Sequence, residues 1–116
     1  MKKTAAGLAY YYANRERSNI RVQEWRDNNK LAAVNVLTNG EGTCRNCGQG
    51  DIDVLCIDHI NNDGAAHRKQ VGWGSMAWWL IKNDYPPGFQ VLCYNCNNKK
   101  KLLYERQKSR ESLRAK

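Results

Sequence analysis

Long apolar runs are missing from this chain, and acidic residues are outnumbered. No stretch of 18 apolar residues occurs among the 116, which excludes a membrane-spanning helix. Met1-Lys2-Lys3-Thr4 is followed only by a weak stretch from Ala5 to Ala9, too short for the apolar core of a secretory signal. A cytosolic chain with reduced cysteines is therefore expected. At 13.3 kDa the chain has room for one modest core and no second large domain. Hydrophobic residues at 41% and charged residues at 26% are ordinary for a folded protein and exclude wholesale disorder.

The acidic deficit is uneven. Nineteen Lys and Arg against eleven Asp and Glu give a formal charge of +8, which favours a polyanionic partner. Residues 1–43 carry seven basic and four acidic groups, residues 44–96 four and five, and residues 97–116 eight and two. Both flanks are basic, and the middle is slightly acidic. That middle zone also holds all five cysteines and both histidines, so the chemistry is expected there.

From Leu8 to Val36 a 3-4-3-4 spacing picks out Leu8, Tyr11, Arg15, Ser18, Val22, Trp25, Asn29, Ala32 and Val36. This predicts one or two amphipathic helices forming an N-terminal arm over residues 1–40. The stripe is expected to pack on the middle zone or on a second copy, giving a homodimer through these helices. A second reading makes Arg15, Arg17, Arg21, Arg26 and Lys30 an arm that meets the DNA backbone, and the two readings can coexist. Asn39-Gly40-Glu41-Gly42 is turn chemistry that closes the helical region.

Residues 41–116 are expected to form the remaining domain. Asp53 to Ile60 is short and rich in apolar and β-branched residues, which predicts a strand ending near Asp58 and His59. Strict alternation places those two on opposite faces, and they share a site only if the strand twists or opens there. A long excursion follows Asn61-Asn62-Asp63-Gly64. Within it, Ser75 to Tyr85 is expected to form a short helix stopped by Pro86-Pro87-Gly88. Phe89 to Cys93 reads as a second strand, and a basic helix is expected from Asn97 onward.

Cys44/Cys47 and Cys93/Cys96 are two Cys-x-x-Cys pairs. Four thiolates from two tight turns suit the tetrahedral demand of structural zinc. Disulfides or an iron–sulfur cluster are the competing uses. Cys56, in mid-strand, reads as a core thiol. Outside the cysteines, Asp58-His59 precedes the second pair and Asn97 follows it directly. A carboxylate and an amide oxygen are hard ligands suited to Mg²⁺ or Mn²⁺, and a neutral imidazole can deprotonate water near pH 7.

Cys-x-x-Cys, then Asp58-His59-Ile60, then Leu92-Cys93-x-x-Cys96-Asn97-x-x-Lys100 resembles the HNH (His-Me finger) endonucleases. The likeness is greatest to the zinc-bearing branch that includes phage recombination endonuclease VII. It spans residues 44–100, about half of the chain. The resemblance implies an α+β fold with a ββα-metal nuclease core stapled by a four-cysteine zinc site. It implies His59 as general base, Asp58 and Asn97 as holders of one catalytic divalent ion, and Cys44, Cys47, Cys93 and Cys96 as zinc ligands. DNA is the implied substrate, a membrane is not a partner, and the implied setting is the cytoplasm of a bacterium or phage-infected cell. Asn97 stands where many members have His, which tilts metal preference toward Mg²⁺ or Mn²⁺.

His67-Arg68-Lys69 reads either as a surface loop or, for His67 and Arg68, as phosphate contacts. Lys99, Lys100, Lys101 and Arg106 make the last helix a candidate for DNA-backbone binding. Trp73, Trp78 and Trp79 read as core for the long excursion or as a stacking surface. Two other functions fit the same residues. One is a zinc-ribbon DNA-binding protein without catalysis, and the other is an accessory subunit docked through the N-terminal helices.

Overall fold

A computed structural model describes residues 4–72 and 74–115; Trp73 and Lys116, which the sequence places in the tryptophan group and the basic tail, lie outside the described residues. The N-terminal region is a single helix, α1 (Ala5–Leu37), in place of the two that the arm allowed. It starts on Thr4, whose hydroxyl accepts from the Gly7 N–H at 3.1 Å, satisfying one of the first-turn donors. It stops where Asn39 and Gly40 adopt φ of 54° and 87° and the Gly40 N–H returns to the Asn35 carbonyl at 2.8 Å. That is the expected turn, built as a left-handed helix end.

The predicted stripe on α1 is not the buried one. Leu8, Tyr11, Val22, Trp25 and Val36 are exposed, and the buried residues are Ala33 and Val34. A helix of this length extends about 50 Å, and α3 and β2 meet only part of it. The buried positions are set by those local contacts and not by a periodicity running the whole length.

The middle zone forms a strand–strand–helix unit. β1 (Leu55–His59) and β2 (Phe89–Cys93) pair antiparallel with Leu55 opposite Cys93 and His59 opposite Phe89. A 3-10 turn over Ile52–Val54 leads into β1, so the strand begins two residues later than the apolar run suggests. β2 has the expected bounds. Helix α4 (Tyr94–Arg114) follows it without a loop, starting three residues before Asn97 because the Cys93 sulfur accepts from the Cys96 N–H and caps it.

Between the strands lie α2 (Gly64–Val71) and α3 (Met76–Lys82). Ser75 caps α3 by accepting from the Trp78 N–H at 3.3 Å. Helix α2 stands where a surface loop was one expectation. Val34, Cys44, Leu55, Val91, Leu92 and Cys93 form the core, with Leu37, Ile52 and Cys96 packed on its edge. Ala77 and Leu80 of α3 are also buried, and α3 packs against α1. No described helix is long and apolar enough to cross a membrane.

Candidate functional site

The Cys44–Cys47 turn is a tight knuckle. The Gly48 N–H donates to the Cys44 carbonyl at 2.9 Å, and Gly48 takes φ of 81°, a conformation that favours glycine. The Arg45 N–H bonds the Val91 carbonyl at 2.9 Å, fastening the knuckle to β2. Cys93 and Cys96 come from the junction of β2 and α4. The four sulfurs all lie within 4.8 Å of one another, with Cys47 and Cys93 at 3.6 Å. Tetrahedral coordination by thiolates asks for sulfurs about 3.8 Å apart. The four cysteines are therefore positioned to hold a metal ion, and all are free thiols.

The thiols are prepared unequally. Burial raises Cys44, but backbone donors at Cys47, Cys93 and Asn46 more than offset it and leave the thiol at about 6. The Gln49 backbone favours the Cys47 thiolate, yet three neighbouring thiols outweigh it and push Cys47 to about 12. Crowded sulfurs thus keep some protons until a cation compensates their charge. Cys56 is raised by burial and by the Asp58 charge, and its thiol donates to the Leu92 carbonyl at 3.1 Å; it is half-buried and stands outside the core cluster in which its mid-strand position predicts it.

A second site lies at the far end of β1. Asp58, His59 and Asn97 line one groove of about 620 Å³, together with Gly64, Arg68, Lys100 and Lys101. Alternation does send the two strand residues to opposite sides. Asp58 meets Gln90 of β2 at 2.8 Å and Lys100 of α4 at 3.1 Å. His59 turns toward Phe89, with ring centroids 4.7 Å apart, and toward His67 of α2. They still reach a common groove because the strand ends there. Asn62, at φ of 58°, reverses the chain and α2 folds back over the His59 ring.

Lys100 is the fastener of this end. Its ammonium donates to the Asp58 carboxylate, to the His59 carbonyl at 3.0 Å and to the Asn62 amide oxygen at 2.7 Å. All three of its N–H groups are thereby used. Asn97 lies in the first turn of α4, close to Cys56. Asp58 and Asn97 both line the groove, and Asp58 Oδ2 already accepts from Gln90 and Lys100. Burial and then the neighbouring His67 hold His59 below its ordinary value of 6.5, so the ring is a neutral proton acceptor near pH 7.

The remaining predicted residues divide. Arg68 and Lys101 line the groove with Lys100. Lys99 lines an adjoining groove with Arg45 and Gln107, on the other side of Lys100. Arg106 is exposed on α4 and lines neither of these two. His67 does not present itself to the groove. Its Nδ1 sits 3.0 Å from His59 Nε2, and its ring stands 4.2 Å from that of Trp79. Trp78 meets Trp25 of α1 at 5.6 Å, so both described tryptophans of the excursion pack on other aromatic rings. Sequence reasoning missed the partners of Asp58 and the His59–His67 pair. Lys100 carried a signal in its place three residues after Asn97, whereas nothing local marks Gln90.

No family model, no curated protein and no solved structure matches this chain.

Proposed function

We propose that the protein is a metal-dependent endonuclease of the HNH type, hydrolysing phosphodiester bonds of DNA by nicking or double-strand cleavage. One observation carries this reading: Asp58, His59 and Asn97, from a strand end and a helix start, line a single groove rimmed by Arg68, Lys100 and Lys101. In this reading β1, β2 and α4 are the ββα-metal core, and the four-cysteine cluster holds structural zinc.

Roles follow from the chemistry of each group. His59, neutral near pH 7, takes a proton from the attacking water. Asp58 and Asn97 hold a Mg²⁺ or Mn²⁺ ion, whose contribution when bound is polarisation of the scissile phosphate. Arg68 and Lys101 take up neighbouring phosphates, which binds DNA without regard to sequence and makes binding sensitive to salt, while the Lys100 charge adds to the field of the groove. Residues at the start of α4 add the partial positive charge of a helix N-terminus close to the groove.

A non-catalytic zinc-bearing DNA-binding protein is the second reading. The observation in its favour is the ion pair of Lys100 with Asp58 at 3.1 Å, which engages the carboxylate that metal binding needs. Supercoiled plasmid incubated with the zinc-loaded protein in Mg²⁺, Mn²⁺ or EDTA separates the two. The nuclease converts plasmid to nicked or linear form only with divalent metal and loses this in Asp58→Ala. Retention of DNA in a gel with no cleavage under any condition supports the second reading.

A further inference from the structure

Beyond the phosphate contact proposed for Arg68, helix α2 brings two features to the His59 ring. His67 Nδ1 lies 3.0 Å from His59 Nε2. Gly64, the first residue of α2, lies on the other side of the ring. A Cβ built there would stand 3.1 Å from His59 Nδ1, 3.5 Å from Cε1 and 3.6 Å from Cγ. Any side chain at that position would press on the Nδ1 edge. Gly64 lines the groove shared by Asp58 and Asn97, whereas His67 lines a separate cavity with Trp79 and Phe89. The two nitrogens of His59 therefore face different surroundings.

We propose that α2 is a positioning element for His59: His67 Nδ1 accepts a hydrogen bond from His59 Nε2–H, which leaves the lone pair on His59 Nδ1, beside Gly64 and open to the groove. His67 sets the tautomer of the pair. Its Nε2 is buried and has no hydrogen-bond partner, while its ring stands at 79° to that of Trp79 with centroids 4.2 Å apart. An N–H on this buried edge sits among the rings of Trp79 and Phe89, surroundings that suit a donor better than a lone pair. A neutral imidazole has one donor and one acceptor. With hydrogen on His67 Nε2, Nδ1 is the acceptor, His59 Nε2 is the donor, and His59 Nδ1 is the free base. No His, Cys, Asp or Glu joins the two rings as a third ligand among the described residues.

The role of this arrangement in cleavage rests on the reading of His59 as the base, but the arrangement itself is tested without cleavage. Nitrogen-15 spectra of the histidine rings in the zinc-loaded full chain at pH 8, with no Mg²⁺ or Mn²⁺ added, report which nitrogen carries the proton. The expected result is His59 as the Nε2–H tautomer. His67→Asn, which keeps an acceptor near the Nδ1 position, should preserve that tautomer, and His67→Phe should give a mixture of the two. A His59 ring protonated on Nδ1 in the unaltered protein overturns the proposal even if the variants fail to fold. So does a folded His67→Phe with an unchanged spectrum. In a plasmid assay His67→Phe and Gly64→Ala should slow cleavage on the order of 10- to 100-fold through displacement of the ring, with His67→Asn close to the unaltered rate. Gly64→Ala at full rate overturns the assignment of Nδ1 as the open nitrogen. An unaltered protein that shows the Nε2–H tautomer yet cleaves nothing leaves the positioning device standing and overturns the nuclease reading alone.

Discussion

With structural zinc in the cysteine cluster, as proposed, removal of the metal should cost this protein most of its stability. Four large side chains are fully buried, Leu55, Leu80, Val34 and Val91, and at about 1.5–3 kcal/mol each they contribute about 6–12 kcal/mol before chain entropy is counted. A structural zinc ion contributes on the order of 10–16 kcal/mol of apparent binding energy, comparable to that set. Net stabilities of domains are about 5–15 kcal/mol, so the metal-free chain has little margin. Cys44 is the ligand to perturb, since its side chain is 2% exposed and shares the core with Leu55 and Val91. If Cys44→Ser loses even about 3 kcal/mol, the melting temperature drops by about 12 °C at roughly 4 °C per kcal/mol for a chain of this size. Calorimetric melting of the zinc-loaded protein, with and without a strong chelator and beside Cys44→Ser, reads this directly. Metal analysis should give one zinc per chain for the unaltered protein. Superimposable melting curves with and without chelator would refute the reasoning.

Other perturbations are informative. Lys100→Ala removes three hydrogen bonds at the end of β1; stability should fall by about 1 kcal/mol in a melting experiment. Lys101→Ala, whose side chain lines the groove, should lower the slope of log binding constant against log salt for DNA by about 1. Leu80→Ala, at a side chain that is 0% exposed, should cost about 2–5 kcal/mol in denaturant titration through the cavity it leaves. Burial and His67 hold His59 below 6.5, so the unfolded state binds the extra proton first. The stability this ring contributes is complete above about pH 6.5 and is lost as pH falls from there toward the folded-state value. The acid limb of the cleavage profile should likewise lie below pH 6.5, and a limb above it would contradict the environment described for the ring.

What the sequence makes legible is local. The Cys44/Cys47 pair forms the expected tight turn, whereas Cys93 and Cys96 sit on the cap and first turn of α4 in place of a second one, and Phe89–Cys93 follows Pro86-Pro87-Gly88 with the expected bounds. The Asn39-Gly40 helix end is equally local. The burial of α1 is not legible, because Ala33 and Val34 are buried by contacts with elements far along the chain while most of the helix stays in solvent. Helix α2 is hidden by its composition: Gly64-Ala65-Ala66-His67-Arg68-Lys69-Gln70-Val71 buries no residue and so presents no apolar period. The pairing of His67 with His59 depends on that helix folding back over the strand end. For the same reason the sequence points His67 at a phosphate, whereas the structure turns it to an imidazole.

The central claim is that the His59 ring activates water at the groove it shares with Asp58 and Asn97. Its most direct test is the rate of supercoiled plasmid loss with Mg²⁺ or Mn²⁺ for the unaltered protein and His59→Ala, matched for zinc content and melting temperature. The expected result is cleavage by the unaltered protein and a fall on the order of 10²- to 10⁴-fold in the variant, the usual contribution of a general base. Equal rates in the two proteins, or no metal-dependent cleavage by either, would contradict it.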